Sequence, residues 1–223
     1  MADKPPMRPD AELRDIRVLL FDVGGVLVQL RGIEIMREWL GNTLTEEQLW
    51  GRWLRSPSVR RYETGQIAED EFACGLVAEF GLSLEPERFL QSFSDWPIGL
   101  YPGTSQMLAR IPGSYRRALL TNSNALHWPR VLRAMQRGAV FDIRFASHLT
   151  GRIKPDADAF EHVTDALGCV AAEVLFLDDN VLNIEAARLF GMHASCVKGP
   201  LEAQRALCDF GIISLDDHAG AQR

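Results

Sequence analysis

Val18-Leu19-Leu20-Phe21-Asp22-Val23-Gly24-Gly25 is the first strong structural signal in the chain. Its four leading apolar residues show no polar alternation, which suits a strand covered on both faces, and a carboxylate and two glycines follow shortly after. Related runs recur at Ala118-Leu119-Leu120, Ile143-Arg144-Phe145-Ala146 and Val174-Leu175-Phe176-Leu177. A weaker run lies at Ala194-Ser195-Cys196-Val197, and Ile212-Ile213 is a candidate last edge. Helical patterns separate these runs, as in βαβ units. The expected fold class is therefore α/β, a parallel sheet core flanked by helices. Helix punctuation agrees: Pro155 stands where a helix should begin, and Gly168 and Gly191 stand where helices should end.

Residues from about Gly32 to Gly99 break the alternation. They carry amphipathic patterns around Thr45–Arg55, Ala68–Phe80 and Pro86–Phe93, with no convincing strand between them. An insertion of this kind after the first strand reads as an all-helical subdomain, and functionally as a lid over an active site. The expected division is a flexible N-terminus over 1–15, an α/β core from 16–31 and 100–223, and a helical cap over 32–99.

Composition narrows the function. The 223 residues are 47% hydrophobic and 24% charged, an ordinary globular balance. A net charge of −6 speaks against a nucleic-acid partner, since phosphate backbones favour a basic face. Cys74, Cys169, Cys196 and Cys208 form no CxxC pair and read as small apolar residues in a reducing compartment. The N-terminus lacks the apolar stretch of a signal peptide, and no run approaches membrane-spanning length. A cytoplasmic protein without a membrane partner is expected; the sequence leaves oligomeric state open.

In open parallel sheets, ligands bind beyond the carboxyl ends of the strands. Asp22-Val23-Gly24-Gly25 follows the first run, and Thr121-Asn122-Ser123-Asn124 the second. Lys154-Pro155 follows the third after a loop, and Asp178-Asp179-Asn180 the fourth. Carboxylates, a hydroxyl and a lysine thus converge on one rim.

These segments, in this order, resemble the four motifs of the haloacid dehalogenase superfamily, whose core is a Rossmann-like sheet. They are Phe21-Asp22-Val23-Gly24-Gly25-Val26-Leu27, Leu120-Thr121-Asn122, Arg152-Ile153-Lys154-Pro155, and Phe176 to Asn183. Pro102-Gly103 is similar to the family's return from a helical cap. Tyr62-Glu63-Thr64-Gly65-Gln66-Ile67, Thr121 to His127 and Asp178 to Ala187 are most similar to the sugar-phosphate phosphatases and the phosphatase domain of soluble epoxide hydrolases. The resemblance implies a phosphohydrolase acting on a small phosphorylated metabolite through an aspartyl-phosphate, with Asp22 as nucleophile. It implies Mg²⁺ on Asp22, the Gly24 carbonyl and Asp179, with Asp178 nearby or joined through water. Thr121, Asn122 and Lys154 would hold the phosphate oxygens.

One position departs from that pattern. Most phosphatases of the superfamily carry a second aspartate, the general acid and base, where this chain has Gly24. General acid catalysis contributes about 10²–10⁴-fold, so the loss matters. The proton would then come from water, the substrate or a cap residue. A non-catalytic phosphate-binding relative and a metal-independent 2-haloacid dehalogenase are the alternatives. Asp178-Asp179 speaks against the dehalogenase, because paired acids without a cation repel a halide. Arg60, Arg61, Tyr62 and Glu63 read as a solvated helix end, although they could face the cleft. His127 is a candidate replacement acid but by default a helix-surface histidine. Trp39, Trp50 and Trp53 read as packing between cap helices, while Trp96 and Trp128 are candidates for the pocket wall.

Overall fold

The computed structural model describes residues 16–136 and 141–214; the expectation for residues 1–15 lies outside them. Five strands form one parallel sheet: β1 (Val18–Phe21), β4 (Arg116–Thr121), β5 (Ile143–Ala146), β6 (Val174–Asp178) and β7 (His193–Cys196), in the order β5-β4-β1-β6-β7. β1 lies at the centre, with Phe21 paired to Leu119 on one side and Leu177 on the other.

Alternate residues of these strands feed two apolar layers. Leu19, Phe21, Leu119, Leu175 and Leu177 pack on one face, with Met107, Val131 and Leu207 from α6 (Thr104–Ala109), α7 (Trp128–Met135) and α11 (Gly199–Asp209). Leu20, Leu120 and Phe176 pack on the other, with Phe160 and Val163 of α9 (Ala157–Leu167) and Ile184 of α10 (Val181–Phe190). The continuous apolarity of the strands has this cause: neither face meets water. Gly168 and Gly191 end α9 and α10 in left-handed conformations, as the sequence implied.

Between Leu30 and Pro97 the described residues form five helices: α1 (Gly32–Trp39), α2 (Glu46–Arg55), α3 (Pro57–Glu63), α4 (Glu69–Phe80) and α5 (Pro86–Ser94). They share a third apolar cluster, dominated by Trp53, Phe72, Phe89, Phe93 and Trp96. Thr45 starts α2 with a capping box to Gln48, and Ser56 caps α3 ahead of Pro57. The chain enters and leaves this segment through an antiparallel ribbon, β2 (Val28–Leu30) against β3 (Pro97–Leu100).

The structure corrects the sequence reading at three points. β3 lies at the end of the stretch expected to be all helical; its four residues, one a proline and one a glycine, are too short to show a period. Ile212 and Ile213 form no strand; both are buried in the first apolar layer after α11. Pro155 precedes α9 by two residues rather than opening it, and Asp156 is the N-cap. The α8 helix is a single turn (Ser147–Thr150) that follows β5.

Candidate active site

The strand ends deliver the expected residues to one place. Asp22 is the first residue past β1, and its N–H donates to Leu177 O at 2.8 Å. Asp178 ends β6, Thr121 ends β4, and Lys154 comes from the loop between α8 and α9. Lys154 Nζ donates to Asp22 Oδ1 at 2.8 Å and to Asp178 Oδ2 at 2.6 Å. Lys154 is 2% exposed and Asp178 is fully buried, so water screens this triad little. Burial pulls the Lys154 ammonium down, but Asp178 and Asp22 outweigh it and hold the lysine above its usual range.

Asn122 serves the lysine as well. Its Nδ2 donates to the Lys154 carbonyl and its Oδ1 accepts from the Lys154 N–H, both at 2.9 Å. Asp178 is equally committed. Its Oδ1 accepts from Asn180 N at 2.8 Å, and Asn183 Nδ2 donates to both oxygens at 3.1 and 3.0 Å. Asn183 carried no expectation; it lies on the first turn of α10, where a side chain returns to the strand end.

Asp179 differs. Among the described residues its carboxylate takes no hydrogen bond, and it is pushed up to about 8, first by burial and then by the charges of Asp22 and Asp178. Asp22 is pushed up to about 6, by burial first, with Lys154 opposing and Asp178 adding to it. Ligand oxygens of Asp22, Asp178 and Asp179 lie within 4.8 Å of one another. Three carboxylates face one ammonium here, an excess of negative charge that a hard divalent cation fits. Gly25 makes room: its φ is +73°, and a Cβ there would stand 1.9 Å from Asp179 Oδ2.

Asp22, Gly24, Thr121, Asn122, Lys154 and Asp179 all border one cavity of about 110 Å³, several times the ~10–15 Å³ that one water requires. Its remaining wall comes largely from the helical segment: Ile33, Met36, Leu49, Trp50, Trp53, Phe93 and Trp96. Trp50 and Trp53, expected only to pack helices, therefore line the cavity too. Of the two tryptophans left open, Trp96 lines it, whereas Trp128 packs against His148.

Two polar residues on that wall overturn their expected roles. Glu63 is not part of a solvated helix end: it is 6% exposed, lines the cavity, and its Oε2 is buried without a hydrogen-bond partner among the described residues. Burial pushes it up to about 7, against a hydrogen bond from Trp53 and the charges of Lys154 and Arg60, with Asp22 adding to the rise. A signal existed: Ser56-Pro57 starts a helix on which Val59, Tyr62 and Glu63 share a face. His127 is not on a helix surface either. Its Nε2 lies 2.6 Å from Phe93 O and its Nδ1 3.3 Å from Asn124 Nδ2, so the first donates, the second accepts, and the ring is neutral. Burial, the main cause, pulls it down to about 4.

Comparison with known proteins fits this arrangement. A family model described as haloacid dehalogenase-like hydrolase matches residues 16–191. Phosphatase MT3486 of Mycobacterium tuberculosis is 30% identical, over 82% of this chain and 87% of its own length. Sesquiterpene phosphatase astK of Aspergillus oryzae is 28% identical, over 79% and 87%. Among solved structures, the haloacid dehalogenase family enzyme BT-2542 of Bacteroides thetaiotaomicron superposes with a TM-score of 0.63 at 25% identity, over 83% of this chain and 95% of that one.

Proposed function

Because the chain belongs to the haloacid dehalogenase-like hydrolase family, we propose that it is a Mg²⁺-dependent phosphohydrolase that cleaves a phosphomonoester through an aspartyl-phosphate on Asp22. One observation carries this reading: a buried carboxylate, pinned by Lys154 and crowded by Asp179, forms the floor of a cavity that admits a small ligand. Asp22 attacks phosphorus, the ester bond breaks, and water then releases phosphate. Lys154 has three N–H donors and spends two on Asp22 and Asp178, leaving one for a phosphate oxygen. Thr121 and Asn122 line the same cavity, and the Thr121 hydroxyl and the Asn122 backbone N–H would bind the other oxygens. Asp22, Asp179 and the Gly24 carbonyl would hold Mg²⁺, which offsets the repulsion between carboxylate and phosphate. Asp178 mainly aims the lysine.

The helical segment acts as a cap that selects the alcohol. A sugar was expected there, but Met36, Leu49, Trp50 and Trp96 offer its hydroxyls few partners, and each one buried unpaired costs about 1–3 kcal/mol. A carbon-rich alcohol fits better, in line with the likeness to a sesquiterpene phosphatase. The test is a substrate panel with Mg²⁺ or chelator: nitrophenyl, prenyl-type and other alkyl phosphates, sugar phosphates and 2-haloacids. Turnover of apolar phosphate esters that needs Mg²⁺ is expected. Release of halide without metal would replace the phosphatase with a dehalogenase, and phosphate binding without any turnover would leave a non-catalytic relative.

A further inference from the structure

Resting on the phosphatase reading, we infer that Glu63, reaching the cavity from the helical segment, is the proton donor to the leaving alcohol in place of the carboxylate that Gly24 lacks. Glu63 lines the cavity that holds Asp22, and its Oε2 is buried with no hydrogen-bond partner among the described residues. A buried oxygen left unpaired in this way costs stability and is retained where a ligand completes it.

Its position is fixed from both sides. Three residues before it, Arg60 is ion-paired with Asp156, two residues after Lys154. Two residues after it, Gly65 (φ +73°) presses so close to the core that a Cβ would lie 2.9 Å from His148 O. The end of α3 is thereby tied to the loop that supplies the lysine. The competing candidate is excluded: both ring nitrogens of His127 are taken, by Phe93 O and Asn124. The surrounding chemistry also requires a donor. An alkoxide released among Leu49, Trp50 and Trp96 would be an unpaired anion in an apolar space.

The step balances. As Asp22 bonds to phosphorus, the electron pair of the breaking P–O bond goes to the leaving oxygen, which takes the Glu63 proton and departs as the alcohol. The Glu63 carboxylate then accepts a proton from water as that water attacks the aspartyl-phosphate, which regenerates both side chains and frees phosphate. Burial raises Glu63 until a substantial fraction keeps its proton near neutral pH, which suits the first half.

The experiment is kcat/KM for the full chain, at saturating Mg²⁺, across phosphate esters from nitrophenol to simple alkyl alcohols. Wild type should depend only shallowly on leaving-group acidity despite Gly24. Glu63→Gln should lose about 10²–10⁴-fold on the alkyl ester and at least ten times less on the nitrophenyl ester, which steepens the dependence; Glu63→Asp should fall between. A steep dependence already in wild type overturns the inference without any variant. Equal losses on both esters overturn it too, since they indicate a binding or packing role. Wild-type turnover that is absent, or that survives Asp22→Asn, instead removes the phosphatase reading and the inference with it, and is read before Glu63 is touched.

Discussion

The two walls of the cavity are built on opposite principles. On the sheet side the polar atoms hold one another: Lys154 bridges Asp22 and Asp178, Asn183 reaches both Asp178 oxygens, and Asn122 grips the lysine backbone. On the helical side the wall is aromatic and aliphatic, and two of its polar atoms, Glu63 Oε2 and Trp96 Nε1, are buried with no hydrogen-bond partner among the described residues. One wall is preorganised before anything binds, as electrostatic stabilisation of a transferring phosphoryl group requires. The other is completed by the ligand. The shared chemistry belongs to the first wall, and the choice of substrate to the second.

The largest expected effect strikes the first wall. Asp22→Asn removes the nucleophile, and kcat should fall by about 10⁴–10⁶-fold, the scale on which loss of an essential nucleophile is felt. The melting temperature should change little, which a thermal scan checks; activity within tenfold of wild type would remove Asp22 from the mechanism. Next comes Lys154→Met, which leaves two buried carboxylates without their counter-charge and should cost about 3–5 kcal/mol of stability. Lys198→Met is the control, because its partner Glu46 at 3.0 Å is exposed and such a pair contributes about 0–1 kcal/mol. Equal denaturation midpoints for the two variants would contradict the contrast between the walls.

The same contrast explains what the sequence displays. Asp22, Thr121, Asp178 and Asp179 sit next to apolar runs whose residues, such as Leu19 and Leu20, are buried on alternate faces of one sheet, and Lys154 follows another such run after a loop. Strand ends bring such residues together whatever the intervening loops do, so the rim is legible from order alone. Glu63 has only a weaker marker, the helix face it shares with Val59 and Tyr62. It ends a seven-residue helix whose pairing with the rim depends on the Arg60–Asp156 ion pair, ninety-six residues apart in the chain. The shared face does not say what covers it: its burial is completed by tertiary packing of Tyr62 on Phe72, whose rings lie 4.3 Å apart. The β2–β3 ribbon stayed hidden for a related reason, since it is held by pairing between residues seventy positions apart rather than by periodicity.

Gly25→Ala tests how tightly the first wall is drawn. The residue has φ +73°, where a side chain costs about 1–2 kcal/mol, and the new methyl group would displace the Asp179 carboxylate. The Mg²⁺ concentration for half-maximal turnover should rise about 10–100-fold, as it does when a ligand's support is lost. Gly41→Ala has a similar φ, +64°, with nothing within 4 Å, so it should lower stability while leaving the Mg²⁺ titration where it was. If the two variants shift that titration alike, Asp179 is not the ligand that Gly25 makes room for.

The smallest effect, and the one that separates the walls most cleanly, is a pH dependence seen in a ratio. Glu63 is pushed up from the ordinary carboxylate range to about 7, by burial first, then by Asp22, with Lys154, Arg60 and the Trp53 indole opposing. An acid whose pKa is raised keeps its proton below that value and loses it as pH rises through it. Proton donation to a basic alcohol should therefore be available at pH 6 and largely gone at pH 8. The nitrophenyl ester needs no such proton, while both esters share every titration of the sheet wall. The quotient of kcat/KM for an alkyl ester over that for the nitrophenyl ester should thus fall about tenfold from pH 6 to pH 8. Linkage has the same sign: the folded chain holds this proton more tightly than the unfolded one, so the stability it confers is lost as pH climbs from about 4.5 through about 7. Glu63→Gln cannot ionise, and both the quotient and this component of the stability profile should become flat. A quotient that still falls in Glu63→Gln would place the titrating group on the sheet side, and one already flat in wild type would mean that the helical wall donates no proton.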